Sequence, residues 1–380
     1  MLALAVSAFA FNTTENLPIG VLPLMAADLG VPLSAVGLLV TGYGLTVAVV
    51  SLPLAHATRD VQRRLSLTVL LAVFVVATLL TALTSNYWLL LGARVATAMA
   101  QALFWAVMTP AAVAMFPPGV RGRVVAVLSV GGGLAMVAGV PAGTWLGQQG
   151  GWRSPFLVLS VLGVLTLVAV AGLLPRGAGG RAAVADGTTP DRRRYVVVLL
   201  TTVVSVMGMF TAYTYVVAFL TEIGGLSAEE ISLALLAFGV AGIAGVVVVG
   251  AVLDRAPRLA MAVPVGLQAA ALLGLNLLGA TPAAIPVMAL LGFAAAPVFT
   301  ATQTRVMQVA PGRAEMALAA NSALFNVGLA GGALLGGLVL SWLGLSATFL
   351  VGAALSAVAF AVACAESRVA VARDGTSVVP

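Results

Sequence analysis

In the first apolar stretch of this chain, residues 2–26, Asn12, Glu15 and Asn16 recur at helical spacing, and Ile19 extends the same face. Their side chains can bind a proton or a hydroxyl-bearing ligand. An ionised carboxylate within a bilayer costs several kcal/mol unless it faces protein or water. Glu15 is therefore either a group that takes up and releases a proton or one locked permanently by a hydrogen bond or a cation. Pro18 loosens the helix just beyond it. The one arginine inside an apolar run is Arg94, which needs an acceptor. Either the Glu15 carboxylate or backbone carbonyls can serve.

Other large polar or aromatic side chains inside apolar runs are Tyr43, Gln101, Trp105, Tyr213, Tyr215, Asn321 and Asn326. With Asn12 and Asn16 they are the candidate substrate contacts. Aromatic faces beside amides suit sugars and equally suit amphipathic drugs. Asp28, Glu222, Glu229, Glu230 and Asp254 fall at run ends, which disfavours a strongly cationic substrate.

Several chemistries are excluded. The chain has no lysine and so no GxxxxGK[ST] phosphate loop, and it has no CxxC, HExxH or GxSxG. One histidine, His56, and one cysteine, Cys364, cannot build a usual zinc site or an intrachain disulfide. No metal, no cofactor and no enzymatic activity are expected. Cys364 is expected to fill packing space and His56 to lie at a membrane interface. Asn12-Thr13-Thr14 fits the glycosylation pattern but lies within a span.

The elements that must hold these residues follow from composition. Hydrophobic residues make up 61% and charged residues 8% of the 380 residues, a balance that places the chain in a membrane. Twelve stretches of roughly 20 apolar residues lie near 2–26, 34–57, 65–84, 87–113, 123–147, 154–174, 195–220, 228–252, 259–278, 283–304, 317–341 and 345–364. They are too long and too uniformly apolar for barrel strands, so the expected fold is all-α, a polytopic protein of twelve transmembrane helices. The first run lacks the basic leader of a signal peptide and continues past residue 10, so it is read as a span.

Charge gives the orientation. Of the eighteen arginines, sixteen fall in the gaps after even-numbered runs, Arg153 alone in an odd gap, and Arg94 inside a run. By the positive-inside rule the even gaps and both termini are cytoplasmic. The net charge of +6 is thus a topology signal, dispersed over short loops in a way that argues against nucleic-acid binding.

Comparison of the sequence with itself at an offset of 193 aligns Pro118, Gly119, Gly139, Gly143, Gly151 and Phe156 with Pro311, Gly312, Gly332, Gly336, Gly344 and Phe349. A duplicated six-helix unit with equal orientation in both halves is implied. The expected domains are 1–174 and 195–366, a cytoplasmic linker at 175–194 and a cytoplasmic tail at 367–380. Ala135, Gly139, Gly143 and Gly147 fall at four-residue spacing in the fifth run, and Gly328, Gly332 and Gly336 in the eleventh. Such faces are either tight static seams or smooth surfaces on which the halves rock.

These features resemble the major facilitator superfamily over nearly the whole chain. Gly250-Ala251-Val252-Leu253-Asp254-Arg255-Ala256-Pro257-Arg258 is similar to its GxxxDRxGR loop, with Pro257 in place of a glycine. The first-half loop Ala55 to Arg64 is degenerate, with Arg59 at the aspartate position and Asp60 one place late. Arg94 matches the family's intramembrane arginine. Gly139-Val140-Pro141-Ala142-Gly143 is similar to the antiporter motif containing GPxxGG, with Val140 inserted. Thr13-Thr14-Glu15, Leu17-Pro18-Ile19-Gly20, Gln101 to Trp105 and Thr211 to Tyr215 resemble the bacterial sugar (arabinose) efflux transporters of the drug:proton antiporter group, which usually carry a histidine where this chain has Gln101.

The resemblance implies proton-coupled efflux of a sugar-like solute by alternating access, from the bacterial inner membrane, with Glu15 and Arg94 in proton coupling. It also implies Asp254, Arg255, Arg258, Gly139, Pro141, Gly143, Gly332 and Gly336 as gating positions. The implied partners are a small-molecule substrate, protons and membrane lipid, with one chain forming a complete pathway as a monomer. A multidrug exporter, an uncoupled facilitator and a non-transporting membrane sensor remain the alternatives.

Overall fold

The computed structural model describes residues 1–57, 61–117, 120–174, 190–253, 255–311 and 314–374. In order, the helices are α1 (Leu2–Leu29), α2 (Leu33–Ala57), α3 (Arg63–Leu83), α4 (Tyr87–Ala114), α5 (Arg121–Leu134), a π-turn (Ala135–Gly139), α6 (Val140–Gly150) and α7 (Arg153–Leu173). There follow α8 (Arg192–Tyr213), α9 (Val216–Glu222), α10 (Ala228–Leu253), α11 (Pro257–Leu278), α12 (Ala284–Val309), α13 (Ala314–Leu343) and α14 (Leu345–Asp374). No strand occurs among the described residues.

Among the described residues eleven stretches are long and apolar enough to cross a bilayer, with α5 and α6 forming one span and α8 and α9 another. α1 is not among the eleven: its 28 residues reach about 42 Å at ~1.5 Å each, but they carry the polar run Asn12 to Asn16. The chain is an all-α polytopic membrane protein.

Local chemistry sets the helix ends. The Asn86 side chain accepts from Trp88 and Leu89 N–H at the start of α4, and Asp191 does the same for Arg193 and Arg194 at α8. Ser227 and Glu230 form a reciprocal capping box before α10. Gly151 and Gly344, aligned by the repeat, both adopt positive φ (79° and 85°), conformations that a Cβ would strain.

Three elements depart from the runs expected from sequence. The seventh run is broken at Thr214–Tyr215, where the Thr214 hydroxyl takes the Phe210 carbonyl at 2.6 Å and competes with the helical ladder. The tenth run continues as α12 to Val309, so Arg305 lies inside a helix and not in a loop. The twelfth run continues as α14 to Asp374.

The chain divides into two compact units, Met1–Ala183 with Ser227–Leu236, and Val184–Leu226 with Ala237–Pro380. In the first, α1 packs on α2, α5, α6 and α7, while α3 lies against α4 and α7. Phe11 of α1 meets Phe74 of α3 and Phe104 of α4, with ring centroids 4.5 and 4.6 Å apart. In the second, α8 packs on α13 and α14, and α11 lies against α12 and α14. Residues 175–189 of the expected linker, 375–380 of the expected tail and the repeat positions Pro118, Gly119 and Gly312 lie outside the described residues.

Both small-residue stripes pack within their own unit. A Cβ added to Gly139, Gly143 or Gly147 would meet Thr13, Leu17 and Val21 of α1 in turn, at 2.1, 2.6 and 2.7 Å. On α13, Gly328, Gly332 and Gly336 face the carbonyl oxygens of Val203, Met207 and Thr211 of α8 at 2.7, 2.5 and 2.3 Å. Of the two readings left open by the sequence, the observed geometry is that of close-packed seams inside each unit.

The first seam includes a π-turn. Val140 N–H donates to the Ala135 carbonyl, an i→i+5 bond whose turn holds one residue more than an α turn. Gly139 and Gly143 keep the four-residue spacing of the GPxxGG pattern, with the proline one place later at Pro141.

Candidate functional site

In the first unit, α1, α2 and α4 bring Glu15, Tyr43, Arg94 and Gln101 together. Pro18 has no N–H to give the Thr14 carbonyl four residues earlier, and Arg94 Nη1 donates to that carbonyl at 2.6 Å. Arg94 Nη2 donates to the next carbonyl, that of Glu15, at 3.0 Å. The guanidinium, 0% exposed, stacks over the Tyr43 ring at 4.4 Å. Between the two acceptors left open by the sequence, the observed ones are therefore backbone carbonyls. The helix break supplies the extra acceptor.

The Glu15 carboxylate bonds elsewhere. Gln101 Nε2 donates to Glu15 Oε2 at 2.6 Å, and Gln101 Oε1 accepts from the Tyr43 hydroxyl at 2.5 Å. Tyr43 (1%) and Gln101 (4%) are buried, whereas Glu15 and Asn16 are half-buried. A fixed amide thus holds one carboxylate oxygen while the residue keeps some accessible surface. Neighbouring candidates line the same region: a Cβ on Gly132 would lie 3.0 Å from Asn12 Nδ2 and 3.1 Å from Trp105 Cη2. Asn12 Nδ2 also donates to the Gly132 carbonyl, and Asn16 Nδ2 to that of Asn12. Gln101, proposed from sequence as a substrate contact, is the bridge between Tyr43 and Glu15.

The second unit holds a neutral cluster. Asn321, 0% exposed, accepts from Thr202 Oγ1 at 2.7 Å and donates weakly to Thr302 Oγ1 at 3.4 Å. Gln303 Nε2 donates to Ser322 Oγ, and its buried Oε1 has no protein donor. Asn326 bonds to the Ser322 carbonyl on its own helix. Sequence reasoning missed Thr202, Thr302, Gln303 and Ser322; an amide one residue from a run end was the available signal for Gln303.

Tyr213 (2%) stacks on Phe238 at 4.8 Å, and Tyr215 (0%) donates to the Ala333 carbonyl. Two sequence expectations are corrected here. Arg94 is not the one buried arginine: Arg305 is 5% exposed and its Nε donates to Glu366 Oε1 at 2.8 Å, with Glu366 itself 0% exposed. That partner lies 61 residues away, beyond the reach of helical spacing. Cys364 is exposed rather than packed inside. His56 is exposed near the end of α2. Arg153, the lone arginine of the odd gaps, is paired with Asp28, which cancels its charge in place.

The family model described as Major Facilitator Superfamily matches residues 4–314 and, again, 198–374. The chain belongs to the major facilitator superfamily. A probable sugar efflux transporter of Mannheimia succiniciproducens is 33% identical over 361 residues, covering 94% of this chain and 91% of that protein. The fold also matches solved structures. A bacterial homologue of the human lysosomal transporter Spinster, inward-facing and unoccupied, gives a TM-score of 0.80 at 15% identity, covering 97% and 96% of the two chains. The human organic anion transporter MFSD10 (TETRAN) gives 0.67 at 17% identity, covering 95% and 97%.

As a member of this superfamily the chain is a transporter and not an enzyme, and its substrate is a small molecule. Of its motif loop, Arg255 and Arg258 are exposed, whereas Asp254 lies outside the described residues, as do Arg59 and Asp60 of the first-half loop. No cluster of three metal-binding side chains occurs among the described residues.

Proposed function

We propose that this transporter expels a sugar or sugar-like solute in exchange for protons. It does so by alternating access of its two six-helix halves, as a monomer in a bacterial inner membrane with both termini cytoplasmic. The observation that carries the reading is the half-buried Glu15 held by Gln101, within a span and beside Arg94 whose charge is directed to backbone carbonyls. The carboxylate is held by an amide and not by an ion pair, and its residue is only half-buried, both suited to a cycling proton site. The name of the Mannheimia relative supports a sugar and outward transport. The amides of Asn12, Asn16 and Gln101 and the Trp105 ring supply hydrogen bonds and an aromatic face of the kind sugars use. Asp254, Arg255 and Arg258 remain the proposed gate, with the glycines and Pro141 contributing through seam packing.

The energetics suffice. One charge crossing 100 mV releases about 2.3 kcal/mol, and a tenfold gradient of a neutral solute costs about 1.4 kcal/mol. One proton can therefore sustain roughly a 40-fold gradient. In proteoliposomes containing a pH-sensitive dye, an arabinose gradient is expected to drive proton movement through the native protein. Glu15→Gln is expected to abolish that movement while labelled arabinose still exchanges. Undiminished proton flux in the variant removes Glu15 from coupling, and no flux with any of a panel of pentoses and hexoses removes the sugar assignment.

A further inference from the structure

A second charged site lies apart from the Glu15 cluster, where α8 and α11 begin in the second unit. A cavity of about 640 Å³ is lined by Arg194, Arg255, Arg258, Arg305, Gln308 and the first turn of α11. Two carboxylates answer these guanidiniums: Asp191 lies 3.7 Å from Arg194 Nε, and Glu366 holds Arg305. Among the described residues, no carboxylate lies within 4.0 Å of Arg255 or Arg258. Setting Asp254, their neighbour in sequence, against them still leaves the lining with an excess of positive charge. Arg192 and Arg193, exposed in the first turn of α8, strengthen that field.

The helix end adds to the field. Arg194 Nε makes no hydrogen bond, its nearest carboxylate oxygen being that of Asp191 at 3.7 Å. The α11 N-terminus has no side-chain cap: Ala256 offers none and Pro257 occupies the first turn, so the positive end of the helix dipole faces the cavity. The corresponding end of α8 is capped by Asp191. Guanidinium forks beside helical N–H groups are suited to an oxyanion with several acceptor oxygens. Leu259, 60% exposed, borders the same cavity and offers an apolar rim.

We propose that this cavity binds a phosphate group, presented either by an anionic lipid headgroup or as a free phosphate ion. The site needs no assumption about substrate or coupling, so it stands or falls independently of the transport reading. Its location at the ends of α8 and α11 is where basic pockets between transmembrane helices hold anionic headgroups.

The test uses detergent-purified full-length protein, with binding read by native mass spectrometry and by thermal shift. The probes are dihexanoyl-phosphatidylglycerol, dihexanoyl-phosphatidylcholine and inorganic phosphate. Phosphatidylglycerol is expected to bind in preference to phosphatidylcholine, and Arg255→Gln with Arg258→Gln to weaken it about tenfold or more. Arg153→Gln, remote in sequence and not in the cavity lining, is expected to retain full affinity. Competition by inorganic phosphate would identify the phosphate group as sufficient, and its absence would identify the lipid headgroup as the ligand; both support the site. Equal binding of the two lipids, or unchanged affinity in the double variant, overturns it. Should the double variant not purify, unchanged affinity in both single variants overturns it equally.

Discussion

Gly143 and Gly336 occupy repeat-equivalent places, yet alanine is expected to act differently at each. A Cβ on Gly336 falls 2.3 Å from the Thr211 carbonyl oxygen and 2.8 Å from the Tyr215 ring. On Gly143 the nearest atom is Leu17 Cδ1 at 2.6 Å, the end of a rotatable side chain, with Pro155 next at 3.6 Å. Ordinary contact begins near 3.4 Å. Gly336→Ala must therefore open the α8–α13 seam by about 1 Å, a gap that forfeits a quarter to a half of each dispersion contact across it. Overpacking of this kind costs about 1–3 kcal/mol, whereas alanine gains about 1 kcal/mol over glycine within a helix.

The net expectation is a loss of about 1–2 kcal/mol for Gly336→Ala and a change near zero for Gly143→Ala. Unfolding of the purified variants in one detergent, by heat and by SDS titration, measures the order. Gly133→Ala, with nothing within 4 Å of its Cβ, is the control for the helix-propensity gain. A Gly336→Ala protein as stable as the parent would refute the seam argument, as would equal losses at both sites.

Other outcomes follow from the same contacts. Arg94→Lys keeps the charge but loses the two-carbonyl fork and the stack on Tyr43, and transport is expected to fall more than about tenfold; a rate within twofold of the parent would show that charge alone suffices. Glu366→Gln strands the buried Arg305 and is expected to cost about 3–5 kcal/mol of stability, recovered in large part when Arg305→Met is added. Failure of the second change to rescue would mean that the pair is not the source of the loss. Gln101→His places an imidazole against Glu15, so the pH profile of transport is expected to gain an inflection in the range of about pH 5–8. A profile altered only in amplitude would separate residue 101 from the proton site.

The helices were legible because lipid imposes a minimum length of apolar sequence, a constraint acting on each run by itself. The breaks inside helices were not. The π-turn depends on which carbonyl the Val140 N–H selects, and the interruption after Tyr213 depends on a hydroxyl competing for the Phe210 carbonyl. Long-range pairing was hidden for a different reason. Nothing local in α12 announces that Arg305 meets Glu366 on α14. By contrast, the acceptor of Arg94 was half-written in α1: a proline four residues after Thr14 guarantees an unpaired carbonyl, and an intramembrane arginine needs one.

The duplication separates what the fold requires from what the chemistry requires. The seam glycines Gly139 and Gly143 recur as Gly332 and Gly336, and the turn glycine Gly151 as Gly344, because close backbone approach and positive φ must be met in both halves. The same offset carries Glu15 to Gly208, Tyr43 to Leu236, Arg94 to Val287 and Gln101 to Ala294, none of which can titrate or form an equivalent side-chain hydrogen bond. Gly208 could not carry the acid without rearrangement: its Cβ position lies 2.7 Å from Ser356 Oγ and 2.8 Å from the Gly352 carbonyl. The second half therefore packs α8 against α14 where the first half keeps a carboxylate. A carboxylate cluster with no counterpart at the repeat-equivalent positions is the arrangement expected if one proton event drives each cycle, and Glu15→Gln should leave no residual pH-driven transport for the second half to supply.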